Sequence, residues 1–118
     1  MAATEKFGPL LRHLRLNAGK SMGDLARHLG VSVPYISDVE HGRRAPLARH
    51  RILDTARFLG IEPSTLLVSA TQSRGVLDIE GNPSEHAVEV GMNFAGAMGR
   101  LSESQLNQIA RILEAEED

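Results

Sequence analysis

Apolar residues recur at helical spacing from residue 7 to residue 70, in short blocks punctuated by glycine. Residues 7 to 18, FGPLLRHLRLNA, place Phe7, Leu10, Leu11 and Leu14 on one face, with Pro9 in the first turn and Gly19 as the stop. Ser21 then offers an N-cap, and Asp24 sits where a carboxylate meets the free N–H groups of a first turn. Leu25, Ala26 and Leu29 form the next stripe, closed by Gly30. Ser32 caps a third block with Pro34 in its first turn, Ile36 and Val39 inward, and Gly42 at its end. Residues 47 to 60 read as a fourth helix with Leu47, Ile52, Leu53, Ala56 and Leu59 inward, Arg49, His50 and Arg51 on the charged side, and Gly60 at the end. Pro63 opens a short fifth helix, PSTLLVSA, with Ser64 and Thr65 near its cap and Leu66 and Leu67 inside.

Beyond residue 70 the pattern changes. TQSRG and EGNP read as loops, and between them Val76, Leu77 and Ile79, interrupted by Asp78, predict a short strand. A lone strand must pair with a copy in another subunit, pack as an arm, or be loop; pairing or packing across a dimer is favoured. Residues 84 to 99 predict a helix with Val88, Gly91, Met92, Ala95 and Met98 or Gly99 in register. Its glycines weaken it by about 1 kcal/mol each against alanine, and they let another helix come close. Residues 102 to 116 predict a stronger helix, opened by a Ser102/Gln105 capping box after Leu101 and lined by Leu106, Ile109, Ala110 and Leu113. Two such helices make a thin core, and two copies make a four-helix arrangement, so this half predicts a homodimer. The competing arrangement folds both helices back on their own domain.

The second and third blocks carry the chemistry. Ala26, Gly30 and Ile36 have the spacing of a helix-turn-helix: the small alanine lets the second helix approach, the glycine makes the turn, and the isoleucine fills the angle. That unit places its second helix in a DNA major groove. An ordinary helical hairpin is the competing reading, and the caps together with the following Gly42-Arg43-Arg44 argue against it. Composition sharpens the picture. The chain has 118 residues, enough for one domain or a small domain with an appendage. Hydrophobic residues are 42% and aromatics 3%, so the core is aliphatic. The absence of cysteine excludes disulfides and Cys-ligated zinc. No run of 18 apolar residues exists, and MAATEKFG is not a signal peptide, so a cytoplasmic protein without membrane contact is expected. Net charge is −2, which alone argues against nucleic acid, but its distribution reverses that. Residues 1 to 70 hold ten basic and six acidic residues, a net of +4, and residues 71 to 118 hold three and nine, a net of −6. A basic front and acidic back fit a DNA-binding domain followed by a partner or assembly segment, although an acidic tail also simply aids solubility.

On these residues the chain resembles the lambda-repressor-like, or XRE-type, helix-turn-helix regulators. The matching residues are Leu14 and Arg15, Leu25-Ala26, Leu29-Gly30-Val31-Ser32, Tyr35-Ile36-Ser37, Glu40, Gly42 and Leu59-Gly60-Ile61, over about residues 7 to 70. The resemblance implies a five-helix DNA-binding domain. It also implies that Arg15 pairs with Glu40 as a structural salt bridge, with Arg15 on phosphate as the competing role. Positions matching Val33, Pro34 and Asp38 read base edges in the family. Here they depart from its glutamine-rich readers, and Met22 stands where many relatives carry glutamine.

The expected base contacts are Ser32, Val33, Pro34, Ser37 and Asp38. Val33 offers a thymine methyl only an apolar contact, and the serines discriminate weakly. Asp38 either accepts from a cytosine amino group or turns away from phosphate. No bidentate Arg–guanine or Gln–adenine pair is offered by the third helix itself, so specificity leans on DNA shape and dimer spacing. Expected backbone contacts are Ser21 and Met22 at a helix N-terminus, Tyr35 through its hydroxyl, and His41, Arg43 and Arg44 in the following loop. Tyr35 packing against the second helix is an equal alternative, and Lys20 and Arg27 read as solvated surface. The five histidines (His13, His28, His41, His50 and His86) form no ligand pair, and no nucleophile–base pattern or phosphate loop occurs. Neither enzyme, metal nor cofactor is expected.

The sequence thus predicts an all-α chain: a five-helix lambda-repressor-like domain over 1–70, a linker with a short strand over 71–83, and a helical dimerisation or partner segment over 84–118. The function expected is a homodimeric, sequence-specific transcriptional repressor on a palindromic operator. The alternative is an antitoxin-like DNA-binding protein whose segment 71–118 grips a protein partner.

Overall fold

The computed structural model describes residues 5–77, 79 and 81–115. Its elements are α1 (Phe7–Asn17), α2 (Met22–Leu29), α3 (Val33–Glu40), α4 (Arg49–Leu59), α5 (Pro63–Arg74), α6 (Glu85–Ala97), a 3-10 turn (Met98–Arg100) and α7 (Glu103–Ala115). The chain divides into two compact units, Met1–Asp78 and Ile79–Asp118.

The first unit is built on one aliphatic cluster. Phe7 and Leu11 of α1, Leu25 and Ala26 of α2, Ile36 and Val39 of α3, Leu47, Ile52 of α4, and Leu66 and Ala70 of α5 are all buried in it. Burying each large member contributes roughly 1.5–3 kcal/mol, which fixes the five helices about a common centre. Leu47 was expected within the fourth helix, but it precedes it and is fully buried. The α5 helix outruns its predicted end, so residues 71 to 74 of the expected TQSRG loop are helical. The reason lies in a distant contact: Arg74 donates from Nη2 to the carbonyls of Pro46 and Leu47, fastening the last turn of α5 to the segment before α4.

The predicted strand is not found. Among the described residues no strand occurs, and Val76, Leu77 and Ile79 are exposed and irregular. A strand needs a neighbouring ladder for its N–H and C=O groups, and nothing among the described residues supplies one. Asp78, which interrupted the predicted strand, lies outside the described residues.

In the second unit, Ser84 caps α6 by accepting from the Ala87 N–H at 3.1 Å. Ser102 and Gln105 form the expected capping box at the start of α7, at 2.9 and 3.1 Å. Neither helix buries a residue. Val88, Val90, Met92, Met98, Ile112 and Leu113 are exposed, while Phe94, Leu101, Leu106 and Ile109 are half-buried.

Candidate nucleic-acid interface

The α2–turn–α3 unit is held from both ends. The Ser21 hydroxyl accepts from the Asp24 N–H at 3.0 Å, and the Asp24 carboxylate accepts from the Ser21 N–H at 2.8 Å. Those bonds from the Ser21 backbone and hydroxyl favour the ionised carboxylate and hold Asp24 below its ordinary range. At the other end of α2, Gly30 takes φ +71°, and the Val31 N–H reaches back to the Ala26 carbonyl at 3.0 Å. Ala26 and Ile36 are both buried where the two helices meet. Ser32 then caps α3 by accepting from the Tyr35 N–H at 3.1 Å, which leaves its own O–H free to donate.

The inward side of α3 is Ile36, Val39 and Glu40. At 100° per residue the direction opposite to them is that of Pro34, Asp38 and His41, with Ser37 beside them. Ser32, Val33, Pro34 and His41 are exposed, and Ser37 and Asp38 are half-buried. His41 donates from Nδ1 to the Ser37 carbonyl at 2.7 Å, because a carbonyl oxygen can only accept. Asp38 Oδ1 accepts from Arg43 Nε at 2.9 Å. Met22 packs against the core cluster beneath the start of α2.

Tyr35 does two things at once. Its ring packs against the core, and two guanidiniums lie over it, Arg44 at 5.1 Å and Arg51 at 5.5 Å from the centroid. The π face holds both cations without neutralising them. By contrast, Arg27, Arg43 and Arg57 each pair with a carboxylate, those of Asp24, Asp38 and Asp54. Arg51 was missed by sequence reasoning. It stands sixteen positions from Tyr35 on another helix, and only the gathering of α3 and α4 around one core brings the two together.

Beneath this surface, Arg15 donates from Nε to Glu40 Oε2 at 2.7 Å, from Nη2 to Glu40 Oε1 at 3.0 Å, and from Nη1 to the Lys20 carbonyl at 2.9 Å. Both side chains are buried, 5% and 0% exposed, so Arg15 is not available to an outside anion. The Glu40 hydrogen bond raises the Arg15 pKa, against burial, which lowers it. The α1 helix reaches this pair through Gly8, where an added Cβ would lie 2.5 Å from the Glu40 carbonyl oxygen. Among the described residues no group of three or more His, Cys, Asp or Glu side chains is placed to hold a metal ion. No helix there is long and apolar enough to cross a membrane.

Comparison with known proteins adds the following. Residues 6–67 match the family described as a helix-turn-helix domain. The restriction-modification controller protein C.AhdI from Aeromonas hydrophila is 40% identical over 51% of this chain and 89% of its own, with a TM-score of 0.46. A SinR protein/SinI protein complex contains a chain 15% identical over 94% of this chain and 97% of its own, with a TM-score of 0.48. No curated protein matches the chain.

Proposed function

Because the chain belongs to the helix-turn-helix domain family, among its XRE-type DNA-binding regulators, we propose that it is a sequence-specific transcriptional repressor acting on a palindromic operator as a homodimer. The observation that carries this is the outward surface of α3, exposed along Ser32, Val33, Pro34 and His41 and flanked by the two cations that Tyr35 holds unneutralised. In this reading α3 enters the major groove, with Ser32, Val33, Pro34, Ser37 and Asp38 facing base edges. Arg44 and Arg51 take phosphate on either side of the Tyr35 hydroxyl, and His41 follows in the loop. Ser21 and Met22 bring the free N–H groups of the α2 N-terminus to the backbone. Repression follows from occupancy, since a protein seated on an operator excludes a competing one.

The dimer is assigned to the unit from residue 79. Helices α6 and α7 bury no residue and leave Val88, Val90, Met92, Ile112 and Leu113 in water, an arrangement that a second copy would cover. Two recognition helices then sit roughly 34 Å apart, one turn of the duplex.

The test is binding of the full chain to duplex DNA selected from a random-sequence pool, followed as salt is raised. A selected palindrome whose affinity falls steeply with salt, as counterions leave the phosphates, supports the reading. Enrichment of no sequence, or salt-independent binding, overturns it. Co-purification of a partner bound to residues 79–118 in place of a homodimer would favour the antitoxin-like alternative.

A further inference from the structure

The end of α3 does more than stop a helix. Glu40 is its last residue and His41 its C-cap, and Gly42 follows with φ +77°, a conformation in which a Cβ is strained. The Gly42 N–H then bonds the Val39 carbonyl at 3.2 Å and the Arg43 N–H bonds the Asp38 carbonyl at 2.8 Å. This pair of bonds is the Schellman motif, and it turns the chain back along the helix it has just left. Its consequence is that Arg43 lies over Asp38, in the direction opposite to buried Ile36 and Val39. Asp38 Oδ1 takes Nε of Arg43 at 2.9 Å. Among the described residues, the two Nη groups have no hydrogen-bond partner, and the side chain is 60% exposed.

We propose that Asp38 and Arg43 form one reading unit, in which the carboxylate braces the guanidinium so that its two Nη groups meet O6 and N7 of a guanine in the major groove. This rests on the DNA-binding reading above and deepens it. Three arguments carry it. A guanidinium bound at Nε keeps its end-on pair of donors in one plane, the fork that matches guanine O6 and N7. A brace removes rotamer freedom before binding, which lowers the ordering cost of the contact. The placement also separates Arg43 from its neighbour: Arg44 is drawn to Tyr35 at the flank of α3, whereas Arg43 is drawn to its outward centre. The α3 helix, whose own side chains offer no bidentate donor, thus acquires one from the loop behind it. Asp38 in this arrangement faces no cytosine of its own, because its charge is already engaged.

The experiment takes the best duplex selected by the wild-type chain and measures affinity for every single base-pair substitution within it. The panel is repeated with Arg43→Ala, Asp38→Ala and the double variant, and with 7-deazaguanine, which lacks the N7 acceptor, at each guanine. Wild type should discriminate about tenfold or more for one G·C pair per half-site. Arg43→Ala should abolish discrimination at that pair alone, and 7-deazaguanine there should weaken only chains that carry Arg43. Asp38→Ala should weaken discrimination at the same pair while strengthening binding to all sequences, since a negative charge leaves the interface. The double variant should lose no more discrimination than Arg43→Ala alone. Uniform weakening of all sequences by Arg43→Ala, with a shallower salt slope, would make Arg43 a phosphate contact and overturn the proposal while leaving the regulator reading intact. Loss at a different pair in Asp38→Ala would equally overturn it. If wild type selects no duplex, the regulator reading fails and the reading unit fails with it.

Discussion

Arg15 and Glu40 exchange water for each other, and the exchange is balanced only while both are present. Their two parallel hydrogen bonds and the Lys20 carbonyl satisfy the buried guanidinium. Removing one partner leaves the other charged in an apolar setting, so Arg15→Met or Glu40→Leu alone should cost about 3–5 kcal/mol in denaturant melts. The double substitution should cost far less than the sum of the two, and simple additivity would contradict the pairing. The Arg15 pKa is raised above its ordinary value, so the stability it contributes is fully present at every pH below that value. Asp24 has the opposite sign. Its folded pKa lies below the ordinary 3.8, so the α2 cap contributes above that value and is lost as pH falls through the lowered one. Melting curves of wild type and Asp24→Asn should therefore differ above about pH 4 and converge in stronger acid. Gly8→Ala should cost about 1–3 kcal/mol, because the new Cβ meets backbone that can yield only by parting α1 from α3. An unchanged melting temperature would show that the two helices have slack. Thr55 is the reverse case. Its hydroxyl is buried with no hydrogen-bond partner among the described residues, so Thr55→Val should raise stability by about 1 kcal/mol.

At the scale of elements, local chemistry was legible where the controlling residues lie within one turn of each other. Ser21, Ser32, Ser84 and Ser102 each accept the bond from an N–H three residues on. Ser32→Ala should accordingly cost about 1 kcal/mol and loosen the first turn of α3, seen as faster amide exchange at Tyr35. What could not be read were contacts that sequence distance hides. The extension of α5 depends on Arg74 reaching Pro46 and Leu47. The Arg51–Tyr35 contact needs α3 and α4 both seated on the common core, and the tightness at Gly8 needs the end of α3 to be in place. The strand over Val76, Leu77 and Ile79 failed for a related reason: three apolar residues state a preference, but a ladder requires a partner strand. The Asp38–Arg43 pair lies between these cases. Both residues were expected to face DNA separately, and the Gly42 turn joins them.

At the scale of the whole molecule, charge and burial divide the chain in the same place. The basic unit holds the buried core, while α6 and α7, in the acidic part, bury nothing within one copy. Assembly through α6 and α7 predicts that sedimentation finds a dimer for the full chain and a monomer for residues 1–77; a dimeric truncated chain would remove the assignment. The claim on which the rest depends is narrower: the outward face of α3 is the surface that meets duplex DNA. It is tested most directly by titrating the selected duplex into the isotopically labelled full chain and following backbone amide shifts. The account predicts that the largest changes fall on Ser32 to Asp38 and His41 to Arg44, with smaller ones at Ser21 and Met22. Changes confined to other elements, with those amides unmoved at saturation, would contradict it.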